Sequence, residues 1–255
     1  MKFVGIIPAR YASTRFPAKV LADLNGKTVI QRVYEQVKDC FDDLYIATDD
    51  ERIADVVKSF GGKVVMTSEN CKNGTERCYE ACCKENIEAD VVINIQGDEP
   101  FIQRKQVEAL MSCFDDERTD IATLVKPFEA GDGWERLSNP NTPKVVLNED
   151  KFAMYFSRSV IPYLRGIEQE EWLSNHTFYK HLGIYAYRLD VLKKLTSLPQ
   201  TTLEKMESLE QLRWLEKGFK IKVGITDIET VGIDTPEDLE RAKEFAASIG
   251  LRWDK

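Results

Sequence analysis

Short apolar runs alternate with amphipathic stretches through the first half of the chain. Phe3-Val4-Gly5-Ile6-Ile7 reads as a buried first strand. Residues 28–38 place Val29, Ile30, Val33 and Val37 on one helical stripe. Leu44 to Thr48 reads as a second strand, and Asp49 or Asp50 can cap a following helix whose Ile53, Val56 and Val57 face inward. Gly61-Gly62 suits the stop of that helix, and Lys63 to Met66 reads as a third strand. A helix over about 75–86 leads into a fourth strand, Asp90 to Ile95. This alternation predicts an α/β fold with a mainly parallel sheet covered by helices on both faces.

The order loosens after about residue 125. Trp134 to Pro143, rich in Asn and Pro, reads as a loop. Val145-Val146-Leu147 and Gly183 to Tyr187 read as further strands around a polar, aromatic segment at about 163–180. Residues 204–217 read as one helix, Lys220 to Ile225 as a strand and 235–247 as a last helix. On the helix at 204–217, Met206, Leu209, Leu212 and Leu215 form the core stripe, and Glu207, Glu210, Gln211 and Trp214 form the polar face. With no repeat or break in composition, the expectation is a single domain over 1–255, with a smaller lobe embedded at about 150–200.

Composition narrows the function. The 255 residues are 43% hydrophobic and 31% charged, which is globular rather than disordered. A net charge of -8 argues against nucleic acid or a membrane surface as partner. No apolar run approaches the ~20 residues that span a bilayer, and Met1-Lys2 leads straight into a strand without a signal sequence. The expectation is a cytoplasmic protein. The six cysteines include no Cys-x-x-Cys pair. Cys78 and Cys82 are spaced for a metal pair on a helix, but small buried residues in a reduced compartment is the better reading.

Against this acidic background the loop after the first strand, Pro8 to Lys19, carries Arg10, Arg15 and Lys19. Loops at the carboxyl ends of strands are where open α/β sheets bind ligands. Three cations there point to an anionic ligand, most simply a phosphate ester. The loop has neither G-x-x-x-x-G-K-[ST] nor G-x-G-x-x-G, so side chains rather than a glycine cradle would hold the phosphates. Gln96-Gly97-Asp98-Glu99-Pro100 follows the fourth strand and puts Asp98 at the same end of the sheet. A lone carboxylate with phosphate oxygens and water is what Mg²⁺ prefers; a turn aspartate capping the next helix is the alternative. In Gly232-Ile233-Asp234-Thr235-Pro236-Glu237-Asp238, Thr235, Pro236 and Asp238 are explained as helix-capping residues. Asp234 is left as either a second metal ligand or a redundant cap.

Seven motifs occur in one order: Ile7 to Pro17, Ala47-Thr48-Asp49, Gln96 to Pro100, Tyr155-Phe156-Ser157-Arg158, His181 to Tyr185, Leu209 to Arg213 and Gly232 to Asp238. Together they resemble the 3-deoxy-manno-octulosonate cytidylyltransferase (CMP-Kdo synthetase) family over nearly the whole chain. The resemblance implies a nucleotide-diphospho-sugar-transferase-like fold and a lipopolysaccharide-pathway reaction, CTP plus Kdo giving CMP-Kdo and diphosphate. It implies Arg10, Lys19 and Asp98 as catalytic residues. Ala9, Arg10, Lys19, Thr75, Arg77 and Gln96 would surround the nucleotide. Arg15, His181, Tyr185, Glu210, Gln211 and Arg158 would hold the sugar acid, and Asp98 with Asp234 would hold Mg²⁺. It also implies a homodimer, with the lobe at about 150–200 as the contact. The alternatives are a cytidylyltransferase for another sugar acid and a non-catalytic CTP-binding protein. Two positions depart from the family pattern. Ala18 stands where the family has Gly, and since Ala resists positive φ, a different loop shape is expected beside Lys19. Asn73 stands where the family has Ser, and it can still donate and accept hydrogen bonds.

Overall fold

The computed structural model describes residues 1–228 and 231–248. They fall into two compact units, the described parts of Met1–Val107 with Thr230–Lys255, and of Glu108–Glu229. The segment 150–200 lies within the second.

The first unit opens with β1 (Phe3–Ala9), a hairpin of β2 (Asp23–Leu24) and β3 (Lys27–Thr28), and α1 (Val29–Val37). Then come β4 (Asp43–Thr48), α2 (Glu51–Ser59), β5 (Lys63–Met66), α3 (Gly74–Lys84), β6 (Val91–Asn94) and α4 (Arg104–Ser112), in which the division between the units falls. Strands pair in the order β6-β1-β4-β5, all parallel. Val4, Ile6, Ile7, Ile46, Val92 and Ile93 are completely buried, as expected of a sheet covered on both faces. The stripe predicted for α1 is buried, and Thr28 caps the helix by accepting from Gln31 N. Asp50, rather than Asp49, caps α2. Gly61, at φ +80°, ends it. The hairpin turns on Asn25 and Gly26, at φ 55° and 84°. Asn-Gly is the usual signal for such a turn, and the sequence reading passed over it.

The second unit contains β7 (Ile121–Pro127), α5 (Gly133–Ser138), β8 (Lys144–Leu147), β9 (Ala153–Ser157), α6 (Trp172–Asn175), β10 (Tyr179–Arg188), α7 (Leu189–Thr196), α8 (Thr202–Glu207), α9 (Glu210–Glu216) and β11 (Ile221–Ile225). β11 lies parallel to β7; β7-β10-β8-β9 are antiparallel neighbours. Two expectations need correction. Residues 133–138 are helical, not loop, because Leu137 anchors them in a cluster with Phe128, Trp172 and Phe178. The predicted helix at 204–217 is two helices. Ser208 is left-handed (φ 51°, ψ 46°) and Leu209 extended, so the helical phase restarts. Met206 is consequently 77% exposed, while Trp214, assigned to the polar face, is fully buried.

The chain closes in the first unit with α10 (Pro236–Ser248). Ile233, Leu239, Ala242 and Ala246 pack there with Leu24, Val29 and Phe101. No helix among the described residues is long and apolar enough to cross a membrane.

Candidate active site

Carboxyl-terminal strand ends of the first unit surround a cavity of about 320 Å³. Pro8, Ala9 and Arg10 line it from the end of β1, Lys19 and Val20 from the following turn, Cys71 to Gly74 and Arg77 from around the start of α3, and Gln96 to Asp98 from the segment after β6. Arg10, Lys19, Lys72 and Arg77 bring four positive charges to a wall with one carboxylate, Asp98. An anion is the complementary ligand. Arg10 is exposed, and among the described residues no ion pair neutralises it.

The loop from β1 to Lys19 is held at defined points. The Arg52 guanidinium lies over the Tyr11 ring, 3.4 Å from its centroid. Ala18 N donates to Tyr11 O at 3.0 Å. Ala18 itself takes the left-handed conformation (φ 59°, ψ 21°), immediately before a 3-10 turn at Lys19–Leu21. Alanine thus adopts the positive φ that it resists. Leu21 N donates to Ala18 O at 2.8 Å, and closure of the turn supports a backbone conformation that alanine alone disfavours.

Asp98 and Asp234, 136 positions apart in sequence, converge on one cation. Lys19 Nζ lies 2.5 Å from Asp98 Oδ2 and 2.8 Å from Asp234 Oδ1. Arg15 holds the other oxygen of Asp234 at 2.9 Å. Two local features produce the convergence. A Cβ on Gly97 would sit 2.8 Å from Pro8 O, so only glycine lets the segment after β6 lie this close to β1. Ile233, completely buried, donates its backbone N–H to Asp98 O at 2.9 Å and ties the second aspartate's segment to the first's.

Capping of α10 leaves the Asp234 carboxylate available. Asp238 accepts from Asp234 N and Thr235 N, and Thr235 Oγ1 accepts from Asp238 N. Asp234 is therefore not a redundant cap. Burial works against the charge of Lys19, but Asp98 and then Asp234 outweigh it, and the lysine pKa is raised. Burial first, then Asp98 and Asp234, push the neighbouring Glu99 carboxyl up to about 8, so it holds a proton at neutral pH.

Among the described residues no three His, Cys, Asp or Glu side chains are grouped as a ready metal site. The pair fits Mg²⁺ nonetheless. Mg²⁺ takes one or two protein carboxylates and completes its shell with phosphate oxygens and water. Asp98 and Asp234 already share a single cation, the Lys19 ammonium. Cys78 and Cys82 are buried and form no disulfide among the described residues, and burial pushes the Cys82 thiol up to about 12.

Two of the residues expected around the nucleotide are buried. Thr75 is buried in the first turn of α3 and does not line the cavity. Arg77 is 3% exposed, with its guanidinium on Thr67 Oγ1 and Asp49 Oδ2, each at 2.6 Å. Asn73 caps α3 by accepting from Glu76 N. Lys72 was missed by the sequence reading. Its place beside the Asn73-Gly74 motif was the available signal.

Of the residues expected to hold a sugar acid, Arg15 lies in the first unit and the other five lie in the second. His181 and Tyr185 are neighbours on β10, with ring centroids 5.4 Å apart. His181 Nε2 is 3.0 Å from Thr123 Oγ1, and burial lowers its pKa to about 3, so the imidazole is neutral. Tyr185 packs edge-on against Trp214 of α9. One turn earlier on α9, Gln211 Nε2 is buried with no hydrogen-bond partner among the described residues, as is Trp214 Nε1. Glu210 pairs with Arg213 at 2.6 Å. Arg158 stands apart from this set. Its guanidinium donates to the backbone oxygens of Glu207, Pro140 and Ser208, where it secures the break between α8 and α9.

Comparison with known proteins places the chain among relatives that span nearly its whole length. The Cytidylyltransferase family model matches residues 4–222. A 3-deoxy-manno-octulosonate cytidylyltransferase from Bacteroides thetaiotaomicron is 66% identical over 245 residues, 96% of this chain and 98% of that protein. One of the same name from Porphyromonas gingivalis is 56% identical over 97% of this chain and 98% of that protein. Among solved structures, a CMP:2-keto-3-deoxy-manno-octonic acid synthetase complexed with CTP superposes with a TM-score of 0.88 at 41% identity, covering 98% of this chain and 100% of that one. The α/β fold with its mixed sheet is the fold of that enzyme.

Proposed function

The chain belongs to the 3-deoxy-manno-octulosonate cytidylyltransferase family, and from that premise we propose that it activates Kdo with CTP, giving CMP-Kdo and diphosphate for lipopolysaccharide assembly. The observation that carries this reading is the convergence of Asp98 and Asp234 on Lys19 at the edge of a cation-lined cavity. Simple nucleotide binding has no use for two carboxylates beside a triphosphate. Metal-assisted nucleotidyl transfer does.

In this mechanism the anomeric hydroxyl oxygen of the sugar acid attacks the α-phosphorus of CTP. A new P–O bond forms, the bond to the β-phosphate breaks, diphosphate leaves, and the hydroxyl proton passes to solvent. Arg10 and Lys19 would balance the charge that builds on the departing diphosphate. Lys72 would add to the same field. Gln96 and the Ala9 segment would contact the nucleoside, with Arg77 and Thr75 supporting the loop around Asn73. Arg15, His181, Tyr185, Glu210 and Gln211 would orient the acid, His181 as a neutral hydrogen-bonding group. Mg²⁺ held by Asp98 and Asp234 would supply Lewis-acid polarisation of the α-phosphate. Positioning and electrostatics account for the acceleration, as in phosphoryl transfer generally.

The test is a diphosphate-release screen of the four nucleoside triphosphates against Kdo, its 8-amino analogue and a sialic acid, with and without Mg²⁺. CTP with Kdo should dominate, and only with the metal. Faster release with another acid would reassign the substrate, and CTP binding without release from any acid would remove the activity.

A further inference from the structure

We propose that Lys19 is a tethered counter-ion, seated at the divalent-cation position between Asp98 and Asp234 until a triphosphate draws it away, so that metal and nucleotide bind as coupled events. This rests on the reading that these two aspartates hold the metal.

The argument is one of exclusive occupancy. The ammonium of Lys19 lies 2.5 Å from Asp98 Oδ2 and 2.8 Å from Asp234 Oδ1. A magnesium ion binds carboxylate oxygens at about 2.0–2.1 Å and would claim the same lone pairs. An ammonium and a divalent cation crowded onto one pair of carboxylates repel strongly at the effective dielectric of a protein surface. The ammonium and the metal therefore cannot share the pair, and entry of one requires departure of the other. With the ammonium in place the charges already balance. Lys19 and Arg15 face Asp98 and Asp234, two against two. Little net attraction is left to bring a divalent ion in.

Departure of the ammonium is mechanically simple. The backbone of Lys19 is fixed by its 3-10 turn, in which Ala22 N donates to Lys19 O at 3.1 Å. The side chain is a flexible four-carbon stem ending in rotatable donors. It lines the cavity together with Arg10, Lys72 and Arg77, so a polyanion there offers it a second seat. A triphosphate that takes Lys19 exposes two bare carboxylates, and the metal then has a site. Linkage makes the effect reciprocal: whatever factor nucleotide contributes to metal affinity, metal contributes to nucleotide affinity.

The experiment measures metal binding without nucleotide, by electron paramagnetic resonance of free Mn²⁺ titrated into the whole chain. Folding of each variant is checked by circular dichroism. Lys19→Met and Lys19→Gln should each bind Mn²⁺ at least about tenfold more tightly than the unaltered protein, within the usual range of coupling between sites. Arg15→Met, which removes the same charge from the other side of Asp234, should change the affinity much less. The double variant Lys19→Met with Asp98→Asn should lose the gain. Unchanged or weaker binding in both Lys19 variants would overturn the exchange. So would an Arg15→Met gain equal to theirs, since through-space charge would then explain it. If Asp98→Asn leaves the gain of Lys19→Met intact, the metal reading of the aspartate pair is wrong and the proposal falls with it.

Discussion

Replacing Gly97 with alanine adds one methyl group at the point where the segment after β6 crosses the end of β1. Its Cβ would stand 2.8 Å from Pro8 O, 3.3 Å from Ile30 Cδ1 and 3.4 Å from Ile7 Cγ2. The first of these is backbone and cannot rotate away. Ordinary carbon–oxygen contact needs about half an ångström more, so the segment itself has to move. Overpacking of this kind costs about 1–3 kcal/mol. For a chain of this size each kcal/mol lowers Tm by about 2–4 °C, so a fall of about 2–12 °C is expected. The displaced residue next in line is Asp98, whose Oδ2 holds Lys19 at 2.5 Å. A misplacement of 1 Å can cost about 10²-fold, and half of that corresponds to about tenfold in turnover. Thermal unfolding followed by circular dichroism, and diphosphate release at saturating CTP and Kdo, measure the two effects. An alanine variant with unaltered Tm and turnover would refute the claim that close approach at Gly97 positions Asp98.

Other consequences can be measured separately. Asp98→Asn should lower kcat by about 10²-fold or more, the scale of a single electrostatic group, and unchanged Mg²⁺-dependent turnover would remove Asp98 from the mechanism. Ala18→Gly relieves a left-handed alanine but gives the unfolded chain more freedom; the two terms are each about 1 kcal/mol, so stability should shift by under about 0.5 kcal/mol and turnover should persist. A larger loss in urea titrations would contradict that balance. His181, held near pKa 3 by burial, should show no NMR titration between pH 5 and 8. Because the unfolded imidazole takes up its proton first, the stability it contributes is complete above about pH 6.5 and drains away as pH falls toward 3. An inflection near pH 6.5 in the folded protein would show that the ring is solvated.

Much of this molecule could be read along the chain. The apolar runs at 3–7, 44–48 and 63–66 are strands because a sheet covered on both sides needs uninterrupted burial, and that need is local in sequence. The stripe of α1 and the Thr235–Asp238 cap were legible for the same reason: both are fixed by spacing within one turn. Seven ordered motifs were enough to identify the family. Tertiary structure decided what depends on distant neighbours. The helix expected over 204–217 broke at Ser208, where Ser157 at the end of β9 and Arg158 just after it engage Glu207 and Ser208. Residues 133–138 became helical around Leu137 because aromatic partners distant in sequence, Trp172 and Phe178, cover it together with Phe128. Ala18 accepted a left-handed backbone that its side chain alone would refuse. Composition and spacing could nominate Asp98, Asp234 and Lys19 one at a time. Their meeting at one point required the buried Ile233 and the hydrogen bond from its backbone to Asp98, a contact between segments that no local pattern encodes.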